Sequence, residues 1–228
     1  MIPTDGLDRI ELLRGLPADV RSDLAQRCAW RHFPAGALII ERDSRGQDVL
    51  FLVEGRVRIT DVTAKGREVA YAEIVAGGHL GQLAALDDGP RSANATAVGD
   101  CLIAALPGVA FRDLLRHWPD VTFALLEDFA HTVRLADLRI TELSTMGAVE
   151  RVCRELLRRA APTGDIVESV PTQETLAALT GTTRETVGKI MGQLIHAGLV
   201  RRKRRALELL DLAGLHAFAG LEPEEAVD

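Results

Sequence analysis

The 228-residue chain has only three cysteines, Cys28, Cys101 and Cys153, and they lie far apart. They form no CxxC pair, so the sequence offers no zinc or iron–sulfur cage. An odd, scattered set fits a reducing cytoplasm rather than a disulfide framework, and each thiol is expected as a small buried apolar residue. No apolar run is long enough to span a bilayer, and no membrane partner is expected. The opening stretch MIPTDGLDRIELLRG lacks the basic start and apolar core of a signal peptide, which makes the cytoplasm the expected location. Nucleophile elbows, metal-ligand clusters and paired-carboxylate motifs are missing as well. The chain is therefore not expected to be an enzyme, and no catalytic or metal-binding residues are expected. Nor is there a basic surplus: the formal net charge is −6.

The charge that is present is unevenly placed. Between Gly181 and Arg205 stand seven basic residues, Arg184, Lys189, Arg201, Arg202, Lys203, Arg204 and Arg205, against one acid, Glu185. A local basic segment in an otherwise acidic chain is the electrostatic footprint of a polyanion site.

The organisation falls into three parts. Residues 7–32 read as a short helical lead-in with Leu12, Leu13, Leu16 and Leu24 as apolar members. FPAGALII, DVLFLVEGRVRIT, REVAYAEIV and CLIAALP are runs of β-formers, with glycines at 36, 46, 55, 66, 77 and 78 between them. That spacing points to a compact β sandwich or barrel. From Trp118 a helix runs on for about 30 residues, in which Leu126, Phe129, Val133, Ala136, Ile140 and Leu143 alternate by 3 and 4. Such a seam pairs one helix with a copy of itself, with packing of the long helix on its own domain as the alternative. Gly147 interrupts it and is the expected hinge.

A further amphipathic helix runs from Ala148 to Ala161, and two short helices follow around a Thr180-Gly181 turn. The first begins after Thr172 as N-cap, and the second closes at Gly198. Val187, Ile190, Met191, Leu194 and Ile195 trace its apolar face; Arg184, Glu185, Gly188, Lys189 and Gly192 trace the other. This is a helix-turn-helix whose second helix can enter the major groove. Arg184 can fork onto guanine, Glu185 can accept from cytosine, and Lys189 can reach a base or a phosphate. Thr182 and Glu185 also have capping-box spacing. The acidic end, EPEEAVD, is expected to be disordered.

GQLAALDDGPRSA, from Gly81 to Ala93, carries a different chemistry. A glycine permits close backbone approach, a short helix offers its first N–H groups, and Arg91 supplies a fixed guanidinium fork for phosphate oxygens. Ser92 adds a hydroxyl, and Gln82 can serve a sugar hydroxyl.

This stretch resembles the phosphate-binding cassette of cyclic-nucleotide-binding domains. TRETVGKI resembles the recognition helix of the cAMP receptor protein/FNR family of bacterial transcription regulators, and FLVEGRVRI is similar to that family's β-roll. The resemblance spans about residues 10 to 210. It implies an α+β chain: a cyclic-nucleotide-binding β-roll over 1–118, a dimerisation helix and hinge over 119–147, and a winged helix-turn-helix over 148–228. Gly81, Gln82, Leu83, Arg91 and Ser92 would line the ribose-phosphate, with Ala136 and Asp137 of the long helix meeting the base. Gln173, Thr183, Arg184, Glu185, Thr186, Lys189, Arg201 and Arg202 would contact DNA. The implied partners are a palindromic operator, a second copy of the chain and RNA polymerase.

Four departures from the family pattern bear on the effector and the half-site. Gln82 replaces the glutamate that accepts from the ribose, which weakens sugar binding. Asp137 stands where adenine is met, and a carboxylate there suits guanine, so cGMP or a cyclic dinucleotide competes with cAMP as the expected effector. Lys189 replaces an arginine of the recognition helix, which alters the expected half-site. The cysteine cluster of oxygen-sensing members is missing. His79 is expected as a polar residue beside the cassette, with haem ligation as its alternative role. A regulator that binds DNA without any nucleotide is the remaining alternative, favoured by Gln82 and Ala136.

Overall fold

The computed structural model describes residues 6–62, 68–160, 166–168, 170–203 and 206–220. Gly66, Arg204, Arg205 and the acidic end lie outside the described residues. The chain divides into two compact units, Met1–Val133 and Arg134–Asp228.

The first unit opens with a 3-10 turn, Glu11–Leu13, and helix α1, Ala18–Arg27. Eight strands follow: β1 Ala29–Phe33, β2 Leu38–Ile40, β3 Val49–Glu54, β4 Arg56–Val62, β5 Glu68–Val75, β6 His79–Leu80, β7 Asn94–Ala97 and β8 Cys101–Leu106. Helix α2, Gln82–Asp87, separates β6 from β7. The strands form two four-stranded antiparallel sheets, ordered β1-β8-β3-β6 and β2-β7-β4-β5. This is the β-roll. The helical lead-in is shorter than its sequence pattern: Ala29–Phe33 is an edge strand paired with β8 from Ala29↔Ala105 to Phe33↔Cys101.

Strand β3 explains the uninterrupted apolar run VLFLV. Side chains alternate across a strand. Leu50 and Leu52 join Ile40, Val57, Ala95 and Ile103 in a core built from both sheets. Val49, Phe51 and Val53 face the other way, into a second core with Leu13, Leu24, Phe111, Leu114, Val121 and Leu125. A strand covered on both faces needs apolar residues at every position. Phe51 and Phe111 are fully buried, and truncating either to Ala costs about 3–5 kcal/mol.

Phe111 belongs to helix α3, Gly108–His117, which the sequence pattern did not suggest. Helix α4, Pro119–Thr145, is the long helix. Proline at its first position and Asp120 in its first turn suit a helix start. Its beginning buries Val121 and Leu125, whereas Leu126, Val133, Ile140 and Leu143 are 53–63% exposed. Phe129 of the seam packs partly against the first unit's core.

The second unit takes the rest of α4 and adds α5 Ala148–Ala160, β9 Ile166–Glu168, α6 Gln173–Leu179, α7 Arg184–His196, β10 Val200–Arg202, β11 Ala206–Leu209 and α8 Leu212–Ala219. Helices α6 and α7 with the β10-β11-β9 sheet make a winged helix-turn-helix. Val152, Cys153, Leu156 and Ala160 of α5 line one stripe and pack with Val187, Ile190, Met191 and Leu194 of α7. Ile195, expected on that apolar face, is instead 41% exposed, at the penultimate position of α7.

All three cysteines are buried, and burial pushes the thiols of Cys28 and Cys153 up to about 12. Among the described residues no helix is long and apolar enough to cross a membrane.

Candidate functional site

In the first unit, β6 delivers the chain to Gly81, which adopts φ +85 and stands at the N-cap of α2. No side chain caps that helix. The left-handed conformation is one that only glycine adopts without cost. It also leaves room for Arg91, whose guanidinium occupies the space a Cβ would take. Arg91 is only 6% exposed. Its Nη1 donates to the carbonyl of Gly81 at 2.9 Å, and its Nη2 donates to the carbonyl of Asp48 at 2.8 Å. Its own backbone is fixed to the preceding loop: Arg91 N–H donates to Ser44 O, and Asp43 N–H donates to Arg91 O. Gly46 of that loop gives the guanidinium further clearance, since a Cβ there would lie 3.2 Å from Nε and Nη2.

Burial pushes the Arg91 pKa below the ordinary guanidinium value, and the Asp48 carboxylate partly opposes that. Arginine stays charged regardless, and it keeps N–H donors beyond the two given to carbonyls. The result is a cation held rigidly by neutral acceptors, with donors free for an anion.

A cleft of about 140 Å³ opens beside it. Ile40, Ile59, Ile74 and Leu80 supply an apolar wall; Gln82, Leu83, Ser92 and His79 complete the lining. Among the residues lining the cleft, Arg91 alone carries a fixed charge. His79 Nε2 is buried without a hydrogen-bond partner. Burial lowers the His79 pKa, and Asp128 of α4 acts the other way. The structure thus gathers Gly81, Gln82, Leu83, Arg91 and Ser92 at one cleft. Ala136 and Asp137 are exposed on α4, in the second unit. The Asp48 carbonyl as partner and the clearance at Gly46 were not foreseen, since nothing in the local sequence ties them to a residue more than 40 positions on.

In the second unit, Thr172 caps α6 by accepting from Thr175 N–H at 3.1 Å. Thr183, not Thr182, caps α7, accepting from Thr186 N–H at 3.1 Å. The expected box between Thr182 and Glu185 therefore does not form. Thr182 N–H is drawn back to Ala177 O, which keeps that residue in the turn. Glu185 pairs with Lys189 instead, at 3.0 Å, with both side chains more than 70% exposed. Arg184, Glu185 and Lys189 share the exposed face of α7 with Gly192, which has open space around it. Gly188 lies against the Gln173 amide of α6, where a Cβ would sit 3.5 Å from Oε1.

The wing carries an unforeseen acid. Arg201 donates to Glu208 Oε2 through Nε at 2.8 Å and Nη2 at 2.5 Å, and Lys203 donates to Oε1 at 3.0 Å. The hydrogen bonds from Arg201 and then Lys203 hold the Glu208 carboxyl below its usual range. Arg202 points away, exposed.

This geometry agrees with comparisons to known proteins. Residues 30–117 match the cyclic nucleotide-binding domain family, and residues 150–218 match the Crp-like helix-turn-helix domain family. The chain is 33% identical over 189 residues to the cyclic AMP receptor protein of Thermus thermophilus, covering 83% of this chain and 87% of that one. It is 26% identical over 215 residues to a CRP-like cAMP-activated global transcriptional regulator of Mycobacterium tuberculosis, covering 90% and 94%. Among solved structures it resembles FixK2 from Bradyrhizobium japonicum, with a TM-score of 0.72 and 21% identity over 86% of this chain and 99% of that one.

Proposed function

The chain belongs to the cAMP receptor protein/FNR family of transcription regulators, and from that premise we propose a homodimer whose operator affinity is set by a cyclic nucleotide. The nucleotide is cAMP, with cGMP second. The observation that carries this reading is the buried Arg91 guanidinium, held by two backbone carbonyls beside an apolar cleft. A compact monoanion with a flat apolar face fits one fixed cation and an isoleucine wall. The curated relative in Thermus, named for cyclic AMP, favours adenine. Arg91 takes the phosphate, Ser92 and the α2 backbone support it, and Gln82 meets the sugar; Leu83 covers the ligand. Ala136 and Asp137 are the base contacts proposed for the long helix.

The winged helix-turn-helix binds DNA. Arg184 reads guanine, and Glu185 and Lys189 exchange their mutual ion pair for base or phosphate contacts. Gln173, Thr183, Thr186, Arg201 and Arg202 hold the backbone. Two copies, paired along α4, meet half-sites about one helical turn apart. RNA polymerase is the downstream partner, in the cytoplasm. The ligand acts by shifting a pre-existing equilibrium between DNA-competent and incompetent arrangements, worth about 5- to 150-fold in operator affinity.

Calorimetry with cAMP, cGMP and a cyclic dinucleotide tests the effector. Heat with cAMP that disappears in Arg91→Ala sustains the proposal. A second reading, binding to DNA without nucleotide, draws on the fact that two of the Arg91 donors are given to backbone carbonyls of the chain itself. Absence of heat with every nucleotide, together with full operator binding, would replace the first reading by the second.

A further inference from the structure

The sequence places a hinge at Gly147, between α4 and α5. In the structure that point is bridged on two sides by charged side chains. Glu142, in the last turn of α4, is a carboxylate with a side chain only 7% exposed. Arg158 of α5 reaches back to it, Nη2 to Oε1 at 2.5 Å, and Arg154 stands 3.9 Å from the same oxygen. Arg158 uses its other terminal nitrogen on Glu155, at 2.7 Å, and Glu155 also receives Arg159 at 2.7 Å. Two buried carboxylates and three arginines thus form one network in which Arg158 is the link between α4 and α5. A buried carboxylate persists only when it is paired, so the network fixes where α4 ends with respect to α5.

The second bridge runs from α5 to the helix-turn-helix. Arg151 donates through Nη1 to the carbonyl of Met146, at the end of α4. Its Nε donates to Thr180 O at 2.7 Å and its Nη2 to Gly181 O at 3.5 Å, both in the turn before α7. Gly181, at φ +60, lies directly against the Leu143 side chain of α4, which would have to shift to admit a Cβ. The end of α4, the start of α5 and the turn of the helix-turn-helix are therefore tied together through Arg151.

We propose that Glu142 and Arg158 are positioning residues for operator binding: their pair across Gly147 makes the last turns of α4 part of the DNA-binding body. A displacement of α4 is then delivered to the recognition helix instead of being absorbed at Gly147. The inference rests on the ligand-responsive reading above. Neither residue belongs to the cleft or to the DNA-facing surface, so the pair is separable from both kinds of contact.

The test uses the full chain, with Glu142→Gln, Arg158→Gln and the double variant. The DNA is a duplex selected by the wild-type protein from a random-sequence pool in the presence of cAMP. Three quantities are measured: cAMP affinity by calorimetry, operator affinity with and without cAMP by fluorescence anisotropy, and hydrogen exchange of amides 143–150. Each single variant is expected to lower the cAMP-driven gain in operator affinity at least about fivefold. The double variant should lose no more than the worse single one, as partners in one interaction do. Affinity for cAMP should stay within about threefold, and exchange at 143–150 should quicken at least about tenfold. An unchanged gain overturns the inference; so does a fall in cAMP affinity that accounts for the lost gain. If wild-type operator binding ignores cAMP, the ligand reading fails, and the exchange arm alone decides this one: unchanged exchange in both single variants overturns it. Should Glu142→Gln fail to fold, Arg158→Gln, which leaves Glu142 beside Arg154, carries the test.

Discussion

The guanidinium of Arg91 fills the space in which a side chain at Gly81 would begin, and it donates to that glycine's carbonyl at 2.9 Å. The two residues are therefore one feature. Gly81→Ala forces a Cβ into a left-handed backbone at φ +85 and drives Arg91 from its two carbonyls. The expected cost is about 2–3 kcal/mol of stability in urea denaturation, with cAMP binding lost in the same protein. Gly99→Ala, where nothing lies within 4 Å of the added methyl, should leave both unchanged.

His79 makes stability depend on pH. Burial holds its folded pKa below 6.5, so the folded protein keeps the ring neutral while the unfolded chain takes up a proton near that value. The unfolded state then binds more protons, and stability falls as pH drops below 6.5 toward the folded pKa. Urea midpoints at about pH 7.5 and about pH 5 should differ more in the wild type than in His79→Phe. Equal drops would clear His79 of the effect.

Val133 and Ile140 stand two helical turns apart on α4, 58% and 63% exposed. Apolar side chains so placed need a cover, and the proposed cover is the same helix of a second chain. Val133→Glu with Ile140→Glu should convert a dimer to a monomer in analytical ultracentrifugation. Operator affinity should fall at least about tenfold with it, because one half-site contact no longer brings the other.

Glu208 restrains the wing. Two cations, Arg201 and Lys203, are committed to it. Glu208→Gln frees them for phosphates, so affinity for random duplex should rise. The slope of log affinity against log salt should steepen by about 0.9 for each new phosphate contact. An unchanged slope, followed by anisotropy over a salt series, would mean that these cations stay away from DNA.

Much of this was legible in the residues, for identifiable reasons. Helix α4 announced itself because a 3-4 alternation has one helical interpretation, and Thr172 and the Thr180-Gly181 turn followed from local cap and turn chemistry. Strand β1 was hidden, since AWRHF has an irregular burial pattern and becomes a strand by pairing with β8, about 70 residues on. Helix α3 was hidden in the gap between two stronger signals. At the start of α7 two adjacent threonines were equally able to cap; the backbone bond from Thr182 to Ala177 made the choice. In the site, the cassette residues could be named from type and spacing. The Asp48 carbonyl and the unpartnered nitrogen of His79 depend on where distant segments come together, which no local spacing encodes, whereas the grip of Glu208 on Arg201 is a cross-strand pair within one hairpin.

The cleft that holds Arg91 presents a lone positive charge with no acid among the residues lining it. Such a site attracts small anions such as chloride and inorganic phosphate as well as an effector. The signal molecule must therefore outbid a standing crowd of simple ions, and its apolar face, which they lack, is what lets it win. The sensitivity of the regulator is thus a ratio, the effector measured against the ionic background, and it drifts with the salt of the medium even when the effector concentration does not.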